Sequence, residues 1–389
     1  MCFSRNENGV PMQITVLCKV VDNFGDIGVA WRLCRRLAKI QSKYKICLVV
    51  DDLEAFAKIE NSVIASEPKQ FISIDGIEIF SWKDEALCHE VFSRNDGEKL
   101  SLILELFQCG RPEWMEKILF EEKLKRTVQI IMIDYLTAEK YAEDFHCLQS
   151  LTRSAKVQKV NFMPGFTEKT GGLVIDDAWT EVPEWNGEGP VLVFTYENDW
   201  EKLAQALYDY SKVSGRKVLV AQGRGKESII QACKNAADTM SLESGQKVKP
   251  NFIEELPYLN QTEWDEMMKG CSALVIRGEE SMSRACLSGI PFIWHAYPQS
   301  DEYQLVKVRA LLERMRPHFG EVDFEIVEKA WLEINGETWI ATQQSNPYTE
   351  FFHAVPRLVQ GFQDFALSLR KNGDLAANLM TYIEKLAII

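Results

Sequence analysis

The sequence predicts an α/β protein made of two consecutive domains, each built around a mainly parallel sheet. The chain has 389 residues, which is more than one compact core usually holds. Short apolar runs alternate with segments of helical periodicity over most of its length, a pattern typical of parallel sheets. The stretch 176–190 interrupts this alternation with prolines, glycines and two tryptophans, which indicates a linker between the domains.

The first domain is expected to begin with a buried strand over 14–21 that leads into a helix over 29–40. Apolar residues recur in that helix at three- and four-residue spacing, so one face packs on the sheet. The later elements follow the same alternation. Further strands are predicted over 45–50, 77–80, 100–106 and 128–133, and helices over 112–124 and 138–151.

A second alternating series starts after the linker. Its predicted strands are 191–196, 217–221, 273–276 and 291–295, and its predicted helices are 199–213, 264–269 and 281–287. The stretch 348–389 is largely helical and is expected to return to the first domain. The predicted domains are therefore 1–180 joined by 362–389, and 190–361.

Charge and composition exclude several classes of function. Asp and Glu number 57 against 44 Lys and Arg, giving a formal net charge of −13. Sequence-independent binding to nucleic acid or to anionic membranes needs a basic surface, so both are disfavoured. We find no apolar stretch long enough to span a membrane and no signal-peptide pattern, and we expect a cytoplasmic protein.

The cysteines and histidines show no metal-binding pattern. None of the ten cysteines is part of a CxxC pair, and several fall inside predicted strands or helices. We therefore expect small buried hydrophobic residues in a reducing compartment. The five histidines lack the spacing of zinc ligands, so a structural zinc site is not expected.

The loop between the first strand and the first helix is the most informative stretch of the chain. It reads Asp-Asn-Phe-Gly-Asp-Ile-Gly over 22–28 and lies where an open α/β sheet binds ligands. Its glycines permit close backbone approach, and the helix N-terminus offers free N–H groups. The simpler interpretation is that one of Asp22 and Asp26 caps the helix while the other makes a turn.

A second strand–loop–helix edge occurs in the second half, where Arg-Gly-Glu-Glu-Ser at 277–281 follows the strand 273–276. Arg277 can neutralise a phosphate, and the N-terminus of the following helix can bind the same anion. Ser281 can serve as a helix cap or a phosphate ligand. The simpler interpretation is an ordinary helix start, with Arg277 paired to Glu279 or Glu280 on the surface.

Three motifs occur in a fixed order along the chain, namely DNFGDIG at 22–28, GFTEKTGGL at 165–173 and RGEES at 277–281. Supporting stretches are LELFQC at 104–109, DYLTAE at 134–139 and PFIWHAYPQ at 291–299. Together they resemble the protein-arginine rhamnosyltransferases that modify bacterial elongation factor P. The resemblance extends from Cys18 to the C-terminus and is far more specific than a single glycine-rich loop.

This resemblance implies the GT-B architecture, in which two Rossmann-like domains face a cleft and C-terminal helices return to the first domain. It implies dTDP-β-L-rhamnose as the donor and an inverting transfer of rhamnose to an arginine guanidine of elongation factor P. The expected partners are the nucleotide sugar and the acceptor protein, with no nucleic acid and no membrane. Neither a cofactor nor a metal is expected, because no DxD-like metal site is evident in the sequence.

The resemblance also implies roles for individual residues. Asp26 corresponds to the catalytic carboxylate, Asp22 supports it, and Glu279 corresponds to a second essential acid. Phe194 and Tyr196 resemble nucleotide contacts. The full set of implied donor-binding residues is Asn23, Phe24, Gly25, Phe194, Tyr196, Tyr258, Gln261, Arg277, Gly278, Glu280 and Ser281.

Three positions depart from the family pattern. The family has phenylalanine where Tyr258 stands, proline where Asn260 stands and aspartate where Glu280 stands. These changes are chemically mild. They concern the geometry of the base site and the role of Glu280.

Arginine chemistry explains why acidic residues are expected in both halves. A guanidinium has a pKa above about 12, stays protonated and is a poor nucleophile. A transferase must therefore hold it with carboxylates and remove a proton as the bond to the sugar forms. Asp26 is suited to orient the guanidine and act as general base. Arg277 and a helix N-terminus are suited to stabilise the leaving diphosphate.

Other functions remain as alternatives at this stage. The first is a GT-B transferase for another nucleotide sugar or a small acceptor, which the sequence separates only weakly because donor specificity lies in the region of Tyr258 and Gln261 that departs from the pattern. A dinucleotide-dependent oxidoreductase would need G-x-G-x-x-G after the first strand; Asp51 or Asp52 could supply its ribose-binding acid, but the glycine spacing is wrong. An inactive sugar-nucleotide binder is the third.

The stretch 223–226, GRGK, superficially resembles a phosphate-binding P-loop. It lacks the first glycine and the final Ser or Thr of that motif, so we do not expect nucleotide binding there.

Overall fold

The computed structural model describes residues 12–20, 25–60, 72–97, 101–122, 124, 127–244, 252–337 and 346–386. The chain divides into two compact units. Unit 1 comprises 1–177 together with 369–389, and unit 2 comprises 178–368.

Unit 1 is organised around an eight-stranded sheet. Its strands are β1 (Met12–Cys18), β2 (Tyr44–Val50), β3 (Ile72–Ile74), β4 (Ile77–Ser81), β5 (Leu102–Leu106), β6 (Val128–Ile133), β7 (Gln149–Ser150) and β8 (Val157–Phe162). The spatial order is β3-β4-β2-β1-β5-β6-β8-β7. The six inner strands are parallel, and only the short edge strands β3 and β7 run antiparallel to their neighbours.

The parallel part of this sheet has the strand order of a Rossmann fold. Counting only parallel strands, the order is third, second, first, fourth, fifth, sixth. The order reverses between β1 and β5, and the loops that leave the carboxyl ends of these two strands therefore diverge. Ligands bind at this switch point in open α/β sheets.

Helices cover both faces of the first sheet because its strands are apolar on both sides. In β1, Ile14 and Val16 pack into one core and Leu17 packs into the other. This is the period-two alternation of a strand buried on both faces. The helices of the unit are α1 (Gly25–Ile40), α2 (Leu53–Ile59), α3 (Glu85–Gly97), α4 (Glu113–Phe120) and α5 (Tyr141–Phe145).

Unit 2 contains a five-stranded, fully parallel sheet. Its strands are β9 (Val191–Val193), β10 (Val218–Val220), β11 (Ile253–Glu255), β12 (Ala273–Arg277) and β13 (Phe292–His295), in the order β11-β10-β9-β12-β13. The order reverses between β9 and β12, so this sheet has a switch point of the same kind as unit 1.

The helices of unit 2 follow its strands in alternation and are continued by a helical C-terminal part. They are α6 (Glu201–Ser214), α7 (Lys226–Ser244), α8 (Gln261–Lys269), α9 (Glu279–Ser288), α10 (Tyr303–Met315), α11 (Glu321–Ile334) and α12 (Pro347–Lys371). Buried Asn335, next to the end of α11, fixes the loop after β13. Its side chain accepts from the Ala296 N–H at 2.9 Å and donates to the Trp294 carbonyl at 2.8 Å.

The C-terminal segment of unit 1 consists of the end of α12 and α13 (Leu375–Leu386). The GFTEKTGGL motif holds it in place. The Leu375 N–H donates to the Leu173 carbonyl at 2.7 Å, and Asn378 donates to the Gly171 carbonyl at 3.1 Å. A Cβ on Gly172, which has φ +82°, would lie 2.6 Å from the Gly373 carbonyl oxygen. This motif is therefore a structural connection of unit 1.

Several boundaries differ from the sequence-based expectation. The helix expected over 138–151 is only the short α5, because Cys147 takes a left-handed φ of 62° and the chain then forms the edge strand β7. The helix expected from residue 29 begins at Gly25. Residues 362–368 were expected in the first domain and lie in unit 2. There Phe362 packs on Phe292, with ring centroids 5.3 Å apart.

Asp374 is the main polar anchor of the C-terminal segment. Its carboxylate pairs with Arg36 Nε at 2.9 Å and accepts from the Ile175 N–H at 2.9 Å, and its side chain is only 9% exposed. Replacing it by Asn should lower the free energy of unfolding by about 2 kcal/mol, because a buried charged hydrogen-bond partner is lost. Denaturant unfolding measures this effect. The exposed α13 substitution Glu384→Gln is the control, and an equally small effect for both variants would contradict the anchoring role.

Candidate active site

The switch point of unit 2 carries a cluster of one arginine and several aromatic rings. The guanidinium carbon of Arg277, at the end of β12, lies 4.4 Å from the Phe194 ring centroid and 4.5 Å from that of Tyr196. Both aromatic residues follow β9, the strand adjacent to β12. Stacking on two rings fixes the plane of the guanidinium while leaving its edge available for an anion.

Arg277 has an unused donor in this position. Its Nε is buried and has no hydrogen-bond partner. Within the described part of the chain, Arg277 has no ion pair with a carboxylate. An unsatisfied buried donor is costly, and an anionic ligand beside the guanidinium would satisfy it.

Two glycines after β10 shape the same cluster, and sequence analysis did not assign them. A Cβ on Gly223 would lie 3.0 Å from the Phe194 ring and 3.2 Å from an Arg277 terminal nitrogen. A Cβ on Gly225 would lie 2.4 Å from the Thr195 carbonyl oxygen. The loop 223–226 is therefore held against the β9 loop, and the glycines are needed for that close approach. Lys226 pairs with Glu255 at 2.7 Å.

The helix α9 begins directly beside Arg277. Its N-cap is Gly278, at φ +73° and ψ 168°, and no side chain caps the helix there. The Gly278 carbonyl accepts from Trp294 Nε1 at 3.2 Å, which fixes this turn. An N-terminus of a ten-residue helix next to a guanidinium combines the dipole and the positive charge that favour a phosphate group.

The acidic residues at the start of α9 pair with other cations and not with Arg277. Glu279 forms an ion pair with Lys307 at 3.0 Å. Glu280 lies 3.8 Å from the buried Arg284, one turn further along the helix. The simpler interpretation, in which Arg277 pairs with Glu279 or Glu280, is therefore wrong.

His295 supports the aromatic cluster from the end of β13. It accepts a hydrogen bond from the Tyr196 N–H through Nδ1 at 3.3 Å, and its ring packs edge-on against Tyr196 and Trp200. Burial and the nearby Arg277 guanidinium lower the pKa of His295 to about 4. The neutral ring is therefore the form present near pH 7, as required of a hydrogen-bond acceptor beside a guanidinium.

The implied base-binding residues lie at the start of α8. Tyr258 is 72% exposed and lies in the loop before the helix, and Gln261 is its first residue. Asn260, where the family resemblance leads us to expect proline, is the N-cap. It accepts from the Glu263 N–H at 3.0 Å, and the Glu263 side chain accepts from the Asn260 N–H at 2.9 Å. This capping box gives the departure at Asn260 a structural role.

The unit 1 switch point contains the implied catalytic carboxylate. Asp26 lies in the first turn of α1 and is only 4% exposed. A carboxylate in the first turn is favoured by the helix dipole. Burial, followed by the charge of Asp26, raises the pKa of Cys18 at the end of β1, which places Asp26 near that strand end. The implied residues Asp22, Asn23 and Phe24 lie outside the described residues.

The acids after β2 have structural roles. Asp51 accepts a hydrogen bond from the Val20 N–H at 2.8 Å and so holds the loop after β1. Asp52 is the N-cap of α2 and accepts from the Glu54 and Ala55 N–H groups. Both carboxylates thus hold the backbone of unit 1, and the dinucleotide-dependent alternative is disfavoured by the glycine spacing of the first loop.

Most cysteines are buried, as the sequence predicts; of those described, Cys109 is half-buried and Cys147 is exposed. Over the described residues, no three or more His, Cys, Asp or Glu side chains are grouped as a metal site. Among the same residues, no helix combines the length and the apolar character needed to cross a membrane.

The fold defines the class of protein. It is α/β, with the pair of Rossmann-like domains of the GT-B glycosyltransferases and C-terminal helices that return to the first domain. The particular family follows from the sequence: residues 14–185 and 177–384 match the family described as Elongation-Factor P (EF-P) rhamnosyltransferase EarP. The chain belongs to this family, and the resemblance of its motifs is thereby confirmed.

Curated relatives and a solved structure agree with this placement. The chain is 27% identical to a protein-arginine rhamnosyltransferase of Shewanella oneidensis, over 95% of this chain and 97% of the relative. It is 26% identical to one of Neisseria meningitidis, over 97% and 98%. The structure reported as "Structural basis for EarP-mediated arginine glycosylation of translation elongation factor EF-P" is similar with a TM-score of 0.53 and 17% identity, covering 96% of this chain and 99% of that one.

His295 makes the stability of unit 2 dependent on pH. Its pKa in the folded protein, about 4, lies below the value of about 6.5 expected when unfolded, so the unfolded state takes up the proton first. Lowering the pH from 7 to 5 should remove about 2 kcal/mol of stability through this residue. His295→Asn should reduce that pH dependence in thermal unfolding, whereas the exposed control His353→Asn should retain it. Equal pH dependence in both variants would contradict the assignment.

Proposed function

We propose that this protein transfers L-rhamnose from dTDP-β-L-rhamnose to an arginine guanidine of elongation factor P, with inversion at the anomeric carbon. Family membership supports the reaction, and the curated relatives carry the name protein-arginine rhamnosyltransferase. The observation that carries the proposal is the Arg277 guanidinium stacked between Phe194 and Tyr196, with a buried and unsatisfied Nε. Elongation factor P as acceptor and a cytoplasmic location belong to the same proposal.

Unit 2 would hold the donor. Arg277 at the end of β12 and the N-terminus of α9, including Gly278 and Ser281, would bind the diphosphate. Phe194 and Tyr196 would contact the nucleotide, and Glu280 the ribose. Tyr258 and Gln261, at the start of α8, would contact the thymine base.

The acceptor reaction needs a carboxylate because the guanidinium stays protonated. In the proposed step a guanidine nitrogen forms a bond to C1 of rhamnose while the C1–oxygen bond to the diphosphate breaks. The proton leaves the guanidinium for the Asp26 carboxylate. Asp22 would support Asp26. Asn23, Phe24 and Gly25 would line the binding site of the donor sugar. Glu279, held by Lys307, would serve as the second essential acid.

The leaving diphosphate carries its negative charge away from the sugar. Arg277 and the α9 dipole would stabilise this charge, which is the task that a divalent metal performs in other transferases. We therefore propose a metal-independent reaction. A transferase for another nucleotide sugar or another acceptor is the remaining alternative, since the base-site residues differ from the family pattern at Tyr258.

The direct test is an intact-mass assay with purified elongation factor P and dTDP-rhamnose, with and without EDTA. One added deoxyhexose, lost when the acceptor arginine is replaced, would support donor, acceptor and reaction together. Donor binding without a mass change would redirect the search to another acceptor. Activity lost in EDTA and restored by a divalent metal would contradict the metal-independent part.

Asp26→Asn should lower the turnover number by at least about 100-fold, because general-base catalysis typically contributes that much. Donor affinity should stay within about twofold, since the substitution is isosteric and removes no donor-binding group. Steady-state kinetics and donor titration measure the two quantities. The matched control is Asp144→Asn on the exposed face of α5. Turnover equal to that of the control would refute the role of Asp26.

Arg277→Ala should weaken donor binding by about tenfold to 100-fold, because charged hydrogen bonds to the diphosphate are lost. Isothermal titration with dTDP measures this loss. Arg277→Lys keeps the charge but not the planar fork or the stacking, so its affinity should lie between those of Arg277→Ala and the wild type. Unchanged affinity in Arg277→Ala would contradict the diphosphate assignment.

A further inference from the structure

The loops after β5 and β6 in unit 1 form a cluster that the proposed function has not used. β5 is the neighbour of β1 across the switch point, and β6 is the next strand. Phe107 and Gln108 follow β5, and Asp134 and Tyr135 follow β6. Because parallel strands end at the same edge of a sheet, these residues lie at the edge from which the β1–α1 loop also leaves.

The backbone of the β5 loop is strained. Phe107 and Gln108 have φ values of 55° and 52°, so two consecutive residues other than glycine take the left-handed conformation. This conformation is unfavourable for residues with a Cβ, and such strain is concentrated at functional sites. The Phe107 N–H donates to the Ile133 carbonyl at 2.8 Å, which ties the two loops together.

The strained turn fixes one carboxylate and one aromatic pair. Gln108 Nε2 donates to Asp134 Oδ2 at 2.8 Å, and the Tyr135 N–H donates to Asp134 Oδ1 at 2.8 Å. The rings of Phe107 and Tyr135 stack with centroids 4.7 Å apart and planes at 25°. Both oxygens of Asp134 thus have a fixed direction, and each retains a lone pair for a further donor.

Asp134 has no cationic partner among the residues that the structure describes, since it forms no ion pair with Lys, Arg or His there. Its side chain is half-buried and is hydrogen-bonded to Gln108. Half-buried Glu116 of the same unit, by contrast, is paired with Arg111. A fixed carboxylate beside aromatic faces, with no cation among the described residues, is complementary to a planar cation supplied from outside.

We propose that Phe107, Gln108, Asp134 and Tyr135 form a subsite for the guanidinium of the acceptor arginine, with Asp134 as its carboxylate. This inference rests on the proposed function, and it names the group that holds the acceptor in unit 1. This subsite matches a guanidinium in three ways. The carboxylate matches its positive charge and can accept two of its N–H donors, and an aromatic ring can stack on its flat face. A lysine ammonium matches only the first.

The two carboxylates of this edge have separate tasks. Asp26 removes the proton and is needed for turnover. Asp134 acts by binding, since its oxygens are already engaged by Gln108 and the Tyr135 N–H. A substitution at Asp134 should therefore act mainly on the Michaelis constant for the acceptor protein, whereas one at Asp26 should act on turnover.

The test measures the transfer kinetics of Asp134→Asn with elongation factor P. The expected result is an acceptor KM raised by about tenfold, with kcat within about threefold and donor affinity unchanged. Asp134→Glu keeps the negative charge, so its acceptor KM should lie between that of Asp134→Asn and that of the wild type. The exposed Asp144→Asn variant is the matched control and should leave both constants unchanged.

Two results of this assay would overturn the subsite. One is an acceptor KM unchanged in Asp134→Asn. The other is a parallel loss of kcat and of donor affinity, without recovery in Asp134→Glu, which would mean that Asp134 only maintains the fold.

A binding measurement separates this inference from the proposed function. Nα-acetyl-L-arginine methylamide is titrated into the wild type and Asp134→Asn by saturation-transfer NMR, with the lysine analogue as comparison. A signal that prefers arginine and is lost in Asp134→Asn would support the subsite, even if elongation factor P were not modified and the proposed function had failed. Equal signals in both proteins, or none in the wild type, would overturn the subsite.

Discussion

Parallel pairing of one central strand with a neighbour on each side is the constraint on which the rest of each unit depends. In unit 1, β1 lies between β2 and β5, and in unit 2, β9 lies between β10 and β12. The connections leave in opposite directions at this point, so the carboxyl ends of the central strands are left open to bind ligands. The buried apolar residues of β1 and β9 maintain this pairing. Asp26 at the start of α1 and Arg277 at the end of β12 both lie at such an edge.

The two edges differ in charge, and this difference matches the two substrates of the proposed reaction. In unit 2 the fixed charge is positive: Arg277 is held in place by aromatic rings, a neutral His295 and the N-terminus of α9. In unit 1 it is negative, with Asp26 buried in the first turn of α1 and Asp134 fixed by Gln108. A leaving diphosphate needs the first environment, and an arginine that must lose a proton needs the second.

Much of this fold could be predicted from the sequence, because hydrophobic periodicity specifies the strands and helices of both units. Arg277 and Gly278 could be found since they directly follow an apolar strand. His295, Gly223 and Gly225 could not, because their roles depend on which strands are neighbours. A role for Asp134 depends on the same kind of information, because its partner Gln108 is 26 residues away and follows a different strand. The helix predicted over 138–151 is much shorter in the structure, which shows that periodicity alone does not detect a left-handed turn such as the one at Cys147.

The anomeric configuration of the sugar on the product arginine tests the central claim most directly. The account describes a single displacement, in which the guanidine attacks C1 from the side opposite the diphosphate held by unit 2. NMR of the rhamnosylated arginine, after digestion of the modified elongation factor P, measures the one-bond carbon–hydrogen coupling at C1. The account predicts the α configuration from the β donor. A β-linked product would contradict it, because retention requires a covalent intermediate or a front-face reaction, and a single displacement involves neither.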